Sequence, residues 1–419
     1  MAEPIRIGLI GAGRIVRAHL RGYAELRAHG VDDFRITAIC SRDAQRALTF
    51  RKRGEGPEPA PLTTLRGSDA LGAPHRYVSD FQDDVLPEIF TEVPAMLEAG
   101  LVDAVDITTE VAVHHTHAVT CLEGGVHILV EKPLAVSVRA GRRMVELARR
   151  HKLVLAVCEN AHFSPQTRLA TWLVRRGDLG SPQIACWWTI GTLDWSPDRW
   201  VGNSAWRHQK LMAAGGASLD IGPHIFHRLR DLCGEVEDVF ALARVLEAER
   251  RLMDARGQVL DRVDCDTDDT FLALATFSTG AVGQLSFSFA GHGEPTLSPM
   301  PLLYGTRGCL KGDRLVLDGA EPETLDEYFA RVGRAEDHAR LFPGGMTDAF
   351  GLLIGDFLQA IRQRREAETS GEEGLRDLAA SFAIVESALA GRPVAVRDVL
   401  DGRIDAYQRD LDAHYGLGE

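Results

Sequence analysis

Residues 5–20 read IRIGLIGAGRIVRAHL: a short apolar run, a glycine-rich turn, then a segment with helical spacing. A strand that passes through Gly11-x-Gly13 into a helix is the arrangement that holds a pyrophosphate. Gly11 permits the tight turn, Gly13 lets the backbone approach the phosphates, and the free N–H groups and dipole of the first helical turn favour the anion. Two glycines alone carry little; the strand before them and the helix after them supply the context the motif needs. The third fingerprint position is Val16, where Gly or Ala would allow the closest helix–strand packing.

Outward from this stretch, short apolar runs alternate with amphipathic segments as far as about residue 157: FRITAIC, DAQRALTFRKR, AVDITT, HAVTCLEGG, HILVE, SVRAGRRMVELARRH and KLVLAVC. Strands rich in β-branched residues separated by helix-period segments imply crossover units and a parallel sheet covered on both faces, a doubly wound α/β (Rossmann) domain. The interruption GEGPEPAPLTTLRGSDALGAP carries four prolines and four glycines and reads as a long surface loop. Beyond residue 160 a helix, PQTRLATWLVRRGDLG, leads to the strand PQIACWWTI, and alternating runs such as TFLALATFS and AVGQLSFSFA follow with tight glycine turns. These features indicate an α+β domain with a mostly antiparallel sheet. Two C-terminal helices, DAFGLLIGDFLQAIRQRR and GLRDLAASFAIVESALAG, complete the reading, with domains expected over 1–157 and 158–419.

A chain of 419 residues exceeds one ordinary core, in keeping with two domains. A net charge of −13 and the lack of a long Lys/Arg run argue against a nucleic-acid or anionic-membrane partner. The seven cysteines are odd in number and scattered singly, which fits a reducing compartment rather than a disulfide scaffold or a structural zinc site. No charged segment followed by an apolar one precedes the first strand, and no apolar run has transmembrane length, so a cytoplasmic protein is expected.

At the end of the second strand, ITAICSRD, an NAD site would usually place an acidic residue for the ribose hydroxyls. This chain offers Ser41 and Arg42, a hydroxyl and a guanidinium suited to a 2′-phosphate, so NADP is expected over NAD. The alternative is that Arg42 stacks on the adenine or is solvated. The fifth strand ends in Glu131-Lys132-Pro133, where an open parallel sheet presents groups to its ligand. A lysine there reaches a nicotinamide ribose and a substrate hydroxyl, with Glu131 tempering its charge; the plain alternative is an ion pair at a strand exit. In AAGGASLDIGPHIFHRL, Asp220 and His224 are four apart after Gly215 and Gly216, a spacing that puts both on one helix face. An imidazole suits the movement of a hydroxyl proton as a hydride leaves the same carbon. A capping Asp with a structural His is the alternative.

With these segments in hand, the chain resembles the glucose-fructose oxidoreductase, inositol dehydrogenase and MocA (Gfo/Idh/MocA) oxidoreductases. GAGRI, ITTEVAVHHTHAVTCLEGGVHILVEKPLA, the Gly-Gly segment with Asp220 and His224, and SGEEGLRDLAASFAIVESALAGRPV carry the resemblance across nearly the whole chain. It implies a nicotinamide-dependent dehydrogenase or reductase acting on a sugar, inositol or similar polyhydroxylated ring, with a large open sheet used to form a homodimer or homotetramer. By matching positions, Lys132 and His224 are the catalytic pair, and Asp220 binds substrate and orients the histidine. Gly11, Gly13, Arg14, Ile15, Thr108, His114, Glu131 and Lys132 belong to the segments that line the cofactor, and Asn160 faces the site. The chain departs from the family at His162 in place of Arg, His227 in place of an acidic residue, and Glu110 in place of a proline after the fourth strand. These departures bear on the substrate.

Five of the six tryptophans lie between Trp187 and Trp206. Trp187 and Trp188 lie in a strand and fit sheet packing or a subunit interface; Trp195, Trp200 and Trp206, with Asp194 and Arg207, fit a wall against a sugar. HHTH, His114 to His117, opens a helix without a matching acidic or Cys ligand, so no metal is expected. The acidic run DRVDCDTDDT, Asp261 to Thr270, lacks the pattern of a calcium loop and reads as a solvated hairpin bend. Two other functions compete with net hydride transfer: a glycosidase that oxidises its sugar transiently, and a sensor that binds without turnover. Intact Lys132, Asp220 and His224 disfavour the sensor.

Overall fold

The computed structural model describes residues 3–59, 70–192, 205–253, 258–296 and 300–418. Its contacts divide the chain into two compact units. The first comprises Met1–Val136, Ala140–Phe163 and Gly344–Gly374; the second comprises Ser137–Arg139, Ser164–Pro343 and Leu375–Glu419. The first unit is thus not continuous in sequence, and the simple division 1–157 and 158–419 does not describe it.

The first unit is built on six strands, β1 (Ile5–Ile10), β2 (Phe34–Cys40), β3 (Glu88–Phe90), β4 (Ala104–Ile107), β5 (His127–Glu131) and β6 (Leu155–Cys158), in the order β3-β2-β1-β4-β5-β6. Every pairing is parallel, as the alternation of strands and helices dictates. β1, β4 and β6 are almost wholly apolar because helices cover both faces. Helix Val16–Ala28 packs against helix Ala349–Gln363, and Gly22 lies so close to Phe350 that a Cβ there would stand 2.8 Å from its backbone carbon. The segment after that helix runs beside β6: the Val157 N–H bonds the Thr369 carbonyl at 2.8 Å and the Thr369 hydroxyl returns a bond to the Val157 carbonyl at 2.8 Å. These bonds seal a sheet edge that would otherwise expose unpaired backbone groups.

The second unit carries a nine-stranded sheet. Its strands are β7 (Pro182–Thr192), β8 (Val236–Arg244), β11 (Thr270–Phe277), β12 (Val282–Gly291), β13 (Leu302–Gly305), β14 (Gly308–Lys311), β15 (Arg314–Leu317), β16 (Glu323–Thr324) and β17 (Val394–Ala395). They lie in the order β16-β15-β14-β13-β7-β12-β11-β8-β17, with a separate hairpin of β9 (Glu249–Met253) and β10 (Val259–Asp264). All pairings in the large sheet are antiparallel except β7 with β12. Alternation along β8 and β11 buries Ala241, Phe271, Ala273 and Ala275 on one face. The opposite face presents Ile184, Trp188, Phe240, Leu242, Leu272, Leu274 and Val282 to solvent. Trp187 is buried and its neighbour Trp188 is 41% exposed, so the adjacent tryptophans serve opposite faces.

The acidic run 261–270 departs from the sequence reading. Asp268 and Asp269 are buried rather than solvated, and their carboxylates bind backbone N–H groups of other segments. Helices Ala349–Gln363 and Gly371–Ala390 stand where expected, and shorter helices at Val396–Leu400 and Arg409–His414 follow them. Residues 60–69 of the long loop, and Asp194, Trp195 and Trp200, lie outside the described residues.

Candidate active site

In the first unit the phosphate loop follows from local geometry. Gly11 has φ +110°, and a Cβ there would meet the Thr108 hydroxyl at 2.7 Å, so only glycine fits. Thr108 supplies the floor: it is buried, and its N–H bonds the Ile10 carbonyl at 2.8 Å. Gly13 differs, because a Cβ there would find nothing nearer than the Thr108 carbonyl at 3.9 Å. The protein's own packing therefore does not require glycine at 13; open backbone at this point suits the approach of a phosphate. Arg14 and Ile15 form the turn into helix Val16–Ala28, with Ile15 at its N-cap, and Val16 is buried beneath.

At the end of β2, Ser41 and Arg42 stand in the expected position. The Arg42 guanidinium donates to Glu110 Oε1 at 2.9 Å while its side chain remains 88% exposed. Glu110 thus occupies the guanidinium that the sequence offers to a 2′-phosphate, although an exposed pair of this kind is weak.

Lys132 follows β5 directly, and the Lys132–Pro133 peptide is cis. One Glu131 oxygen accepts the Lys132 backbone N–H at 3.1 Å, and the other contacts His19 Nε2 at 2.9 Å. His114 is buried at the start of helix His114–Glu123, its Nδ1 3.0 Å from the Pro133 carbonyl and its Nε2 3.0 Å from the Thr109 carbonyl. The ring thus lies between the loops after β4 and β5, and its single N–H serves one of the two carbonyls. Burial lowers its imidazole below the ordinary histidine value, the two carbonyls opposing. Asn160 is half-buried in the turn after β6, and His162, buried two residues on, pairs with Glu368 at 3.0 Å.

In the second unit, Gly215 and Gly216 lead into helices Ala217–Asp220 and Gly222–Cys233, which carry Asp220 and His224. Asp268 fixes this entry. Its carboxylate accepts from Gly216 N at 3.1 Å, Ser218 N at 2.8 Å and Ser218 Oγ at 2.8 Å, and its carbonyl accepts from Ala217 N at 2.6 Å. A Cβ on Gly216 would lie 1.7 Å from that carbonyl. Arg207 spans both Asp220 oxygens at 3.4 Å and stacks over the Trp206 ring at 4.5 Å, so Asp220 and the Trp206–Arg207 wall, which lie apart in the sequence, form one group.

The helix bearing His224 is anchored from behind. His227 Nδ1 lies 2.7 Å from Asp377, Arg230 donates to the same carboxylate at 2.7 Å, and Arg230 forks onto Glu235 with both bonds at 2.9 Å. His227, a departure from the family pattern, is thus matched by a buried carboxylate on helix Gly371–Ala390. Lys132 belongs to the first unit, and Asp220 and His224 to the second.

Residues 5–159 match the family model described as "Oxidoreductase family, NAD-binding Rossmann fold", and residues 167–311 match the GFO/IDH/MocA C-terminal domain. The chain belongs to the Gfo/Idh/MocA oxidoreductase family. Among its relatives, levoglucosan dehydrogenase of Pseudarthrobacter phenanthrenivorans is 28% identical over 92% of this chain and 96% of its own length. Myo-inositol 2-dehydrogenase of Thermotoga maritima is 23% identical over 77% of this chain and 91% of its own. Among solved structures, the apo form of levoglucosan dehydrogenase superposes with a TM-score of 0.72 at 24% identity, covering 94% of this chain and 99% of that one. A complex of levoglucosan dehydrogenase with NADH and L-sorbose gives 0.71 at 22% identity, again over 94% and 99%.

Three residues of this oxidoreductase escape the sequence reading, His19, Asp106 and Asp377, and a fourth, Asp268, is expected there to be solvated but is buried. Asp106 carried a usable signal, since a carboxylate inside the apolar strand AVDI demands a buried partner. Asp268 and Asp377 carried none, because their partners are set only by tertiary structure.

Proposed function

We propose that this oxidoreductase transfers a hydride between a nicotinamide dinucleotide and the hydroxyl-bearing carbon of a sugar, inositol or similar polyhydroxylated ring. The observation that carries the reading is the shared edge of the parallel sheet: the Gly11–Gly13 loop follows β1, Thr108 follows β4 and Lys132 follows β5, all at carboxyl ends. The names of relatives, among them levoglucosan and myo-inositol dehydrogenases, support the substrate class.

The Gly13 backbone and the first turn of helix Val16–Ala28 would hold the pyrophosphate. The nicotinamide, when bound, supplies or accepts the hydride. Lys132 and His224 handle the hydroxyl proton, and Asp220, held by Arg207, binds a hydroxyl and orients the histidine. Trp206 offers an apolar ring face to the C–H side of the substrate. A panel of sugars and inositols assayed for change in nicotinamide absorbance tests the class; activity confined to acyclic or apolar alcohols defeats it.

Ser41 and Arg42 support NADP(H) as the preferred cofactor. Binding of a 2′-phosphate would draw Arg42 from Glu110, so Arg42→Ala is expected to weaken NADPH roughly tenfold while sparing NADH, the scale of one charge-assisted hydrogen bond. Tighter binding of NADH than NADPH by the wild-type protein overturns the preference.

The exposed apolar face of the large sheet, centred on Leu242, Leu272 and Leu274, supports assembly of copies of this chain as a homodimer or homotetramer. Leu272→Asp with Leu274→Asp is expected to reduce the mass measured by light scattering to that of the monomer; an unchanged mass would move the interface elsewhere. Among the described residues no helix is long and apolar enough to cross a membrane. The scattered cysteines support a cytoplasmic location.

A further inference from the structure

His19, on the helix after the phosphate loop, has no exposed surface. Its Nδ1 lies 2.8 Å from Asp106 Oδ2 on β4, and its Nε2 lies 2.9 Å from Glu131 Oε1 on β5. Tyr23, one helical turn along, donates to the same Asp106 oxygen at 3.1 Å; Cys158 Sγ on β6 is 3.7 Å from His19 Nε2, and the Phe350 ring meets the imidazole edge-on with centroids 5.1 Å apart.

A neutral imidazole has one N–H and could serve only one of two carboxylates, whereas an imidazolium serves both. Burial opposes the charge on His19, but the charge and hydrogen bond of Asp106 carry it well above the ordinary histidine value. Glu131 is the counterpart: burial alone would raise its carboxyl, yet the His19 bond and charge, joined by the charge of Lys132, hold it below the usual range. Burial raises the Cys158 thiol, so this group stays protonated. A buried set of charges is tolerable only when each is paired, and here the pairing ends on Glu131, whose other oxygen accepts the Lys132 backbone N–H.

We propose that His19 is a positioning residue for Lys132: as an imidazolium bridging Asp106 and Glu131, it keeps Glu131 ionised and aimed at the residue 132 backbone. The inference deepens the proposed function and rests on Lys132 as a proton-handling residue. His19, Glu131 and Cys158 also lie close enough together to share a cation, but the direct 2.9 Å contact between His19 and Glu131 suits a shared proton.

The test compares the full-length wild type with His19→Gln, Asp106→Asn and Lys132→Ala. In His19→Gln the amide keeps the volume without the charge, so burial raises the Glu131 carboxyl into the assay range. The expected result is a kcat about tenfold below wild type near pH 6.5, recovering towards about pH 9, with cofactor affinity unchanged within about twofold. Asp106→Asn should show the same trend more weakly. A deficit independent of pH, or no deficit, overturns the inference. Wild-type turnover in Lys132→Ala defeats the reading of Lys132 itself, whereas an inactive Lys132→Ala beside a wild-type pH profile in His19→Gln defeats only the role of His19. Should neither network variant fold, 15N-histidine-labelled wild type decides. A buried imidazole protonated on both nitrogens at about pH 8 is expected, and a neutral tautomer or stoichiometric bound zinc overturns the inference.

Discussion

Replacing Gly216 by alanine places a methyl group where the Asp268 carbonyl already stands, 1.7 Å from the new carbon. Both partners are backbone, so no rotamer change relieves the overlap, and the two segments must part by more than an ångström. That movement stretches the bonds from Gly216 N, Ser218 N and Ser218 Oγ to the buried Asp268 carboxylate, and the Ala217 N–H bond to its carbonyl. Losing two bonds to a charged acceptor costs about 3–5 kcal/mol, a large share of a total near 5–15 kcal/mol. For a unit of this size the loss corresponds to a fall of roughly 10 °C in Tm, read by calorimetry. Turnover should fall as well, since Asp220 is four residues on, while cofactor affinity, a property of the first unit, should hold. A Gly216→Ala protein that melts within about 2 °C of wild type would refute the claim that Asp268 fixes this segment.

Other outcomes follow from the same geometry. Gly13→Ala is expected to melt like wild type, because its Cβ meets nothing nearer than 3.9 Å, yet to lose cofactor affinity in calorimetric titration; unchanged affinity would remove the phosphate from this loop. Lys132→Ala and His224→Ala should each lower kcat by about 100-fold to 10,000-fold with cofactor binding kept; near wild-type rates would reassign the proton. Burial, aided by the charges of His114 and Arg143, lowers the His115 imidazole to about 4 in the folded chain. The native state therefore binds fewer protons than the unfolded chain between the ordinary histidine value and about 4, and stability falls as pH drops through that window. His115→Gln should flatten the decline of Tm across it, and an unaltered slope would contradict that burial effect.

The architecture was legible because its signals are local. Parallel strands covered on both faces read as continuous apolar runs, and the glycine turn between β1 and its helix marks the phosphate loop without tertiary information. The antiparallel sheet was legible from alternation, which also hid something: the same period that buries Ala273 leaves Leu272 and Leu274 exposed, and a sequence does not say which face is covered. The return of Gly344–Gly374 to the first unit was not legible, because helices Ala349–Gln363 and Gly371–Ala390 look alike as amphipathic segments and only packing sends them to different units. Asp268 was read as solvated because a cluster of carboxylates usually is; its burial depends on Gly216, more than fifty residues away. Arg42 lies at the end of β2, where its place in the sequence puts it, but its pairing with Glu110 joins the ends of β2 and β4, which the sequence separates.

The central claim is net hydride transfer to or from a polyhydroxylated ring, with Lys132 and His224 moving the proton. The most direct measurement is nicotinamide absorbance during turnover of the full-length protein with each candidate sugar and inositol, alongside quantified product. Stoichiometric formation or consumption of reduced nicotinamide with at least one ring substrate, abolished in Lys132→Ala and His224→Ala, is the predicted result. Product released without net change in the nicotinamide, or tight binding of cofactor and sugar without turnover of any ring substrate, would contradict it.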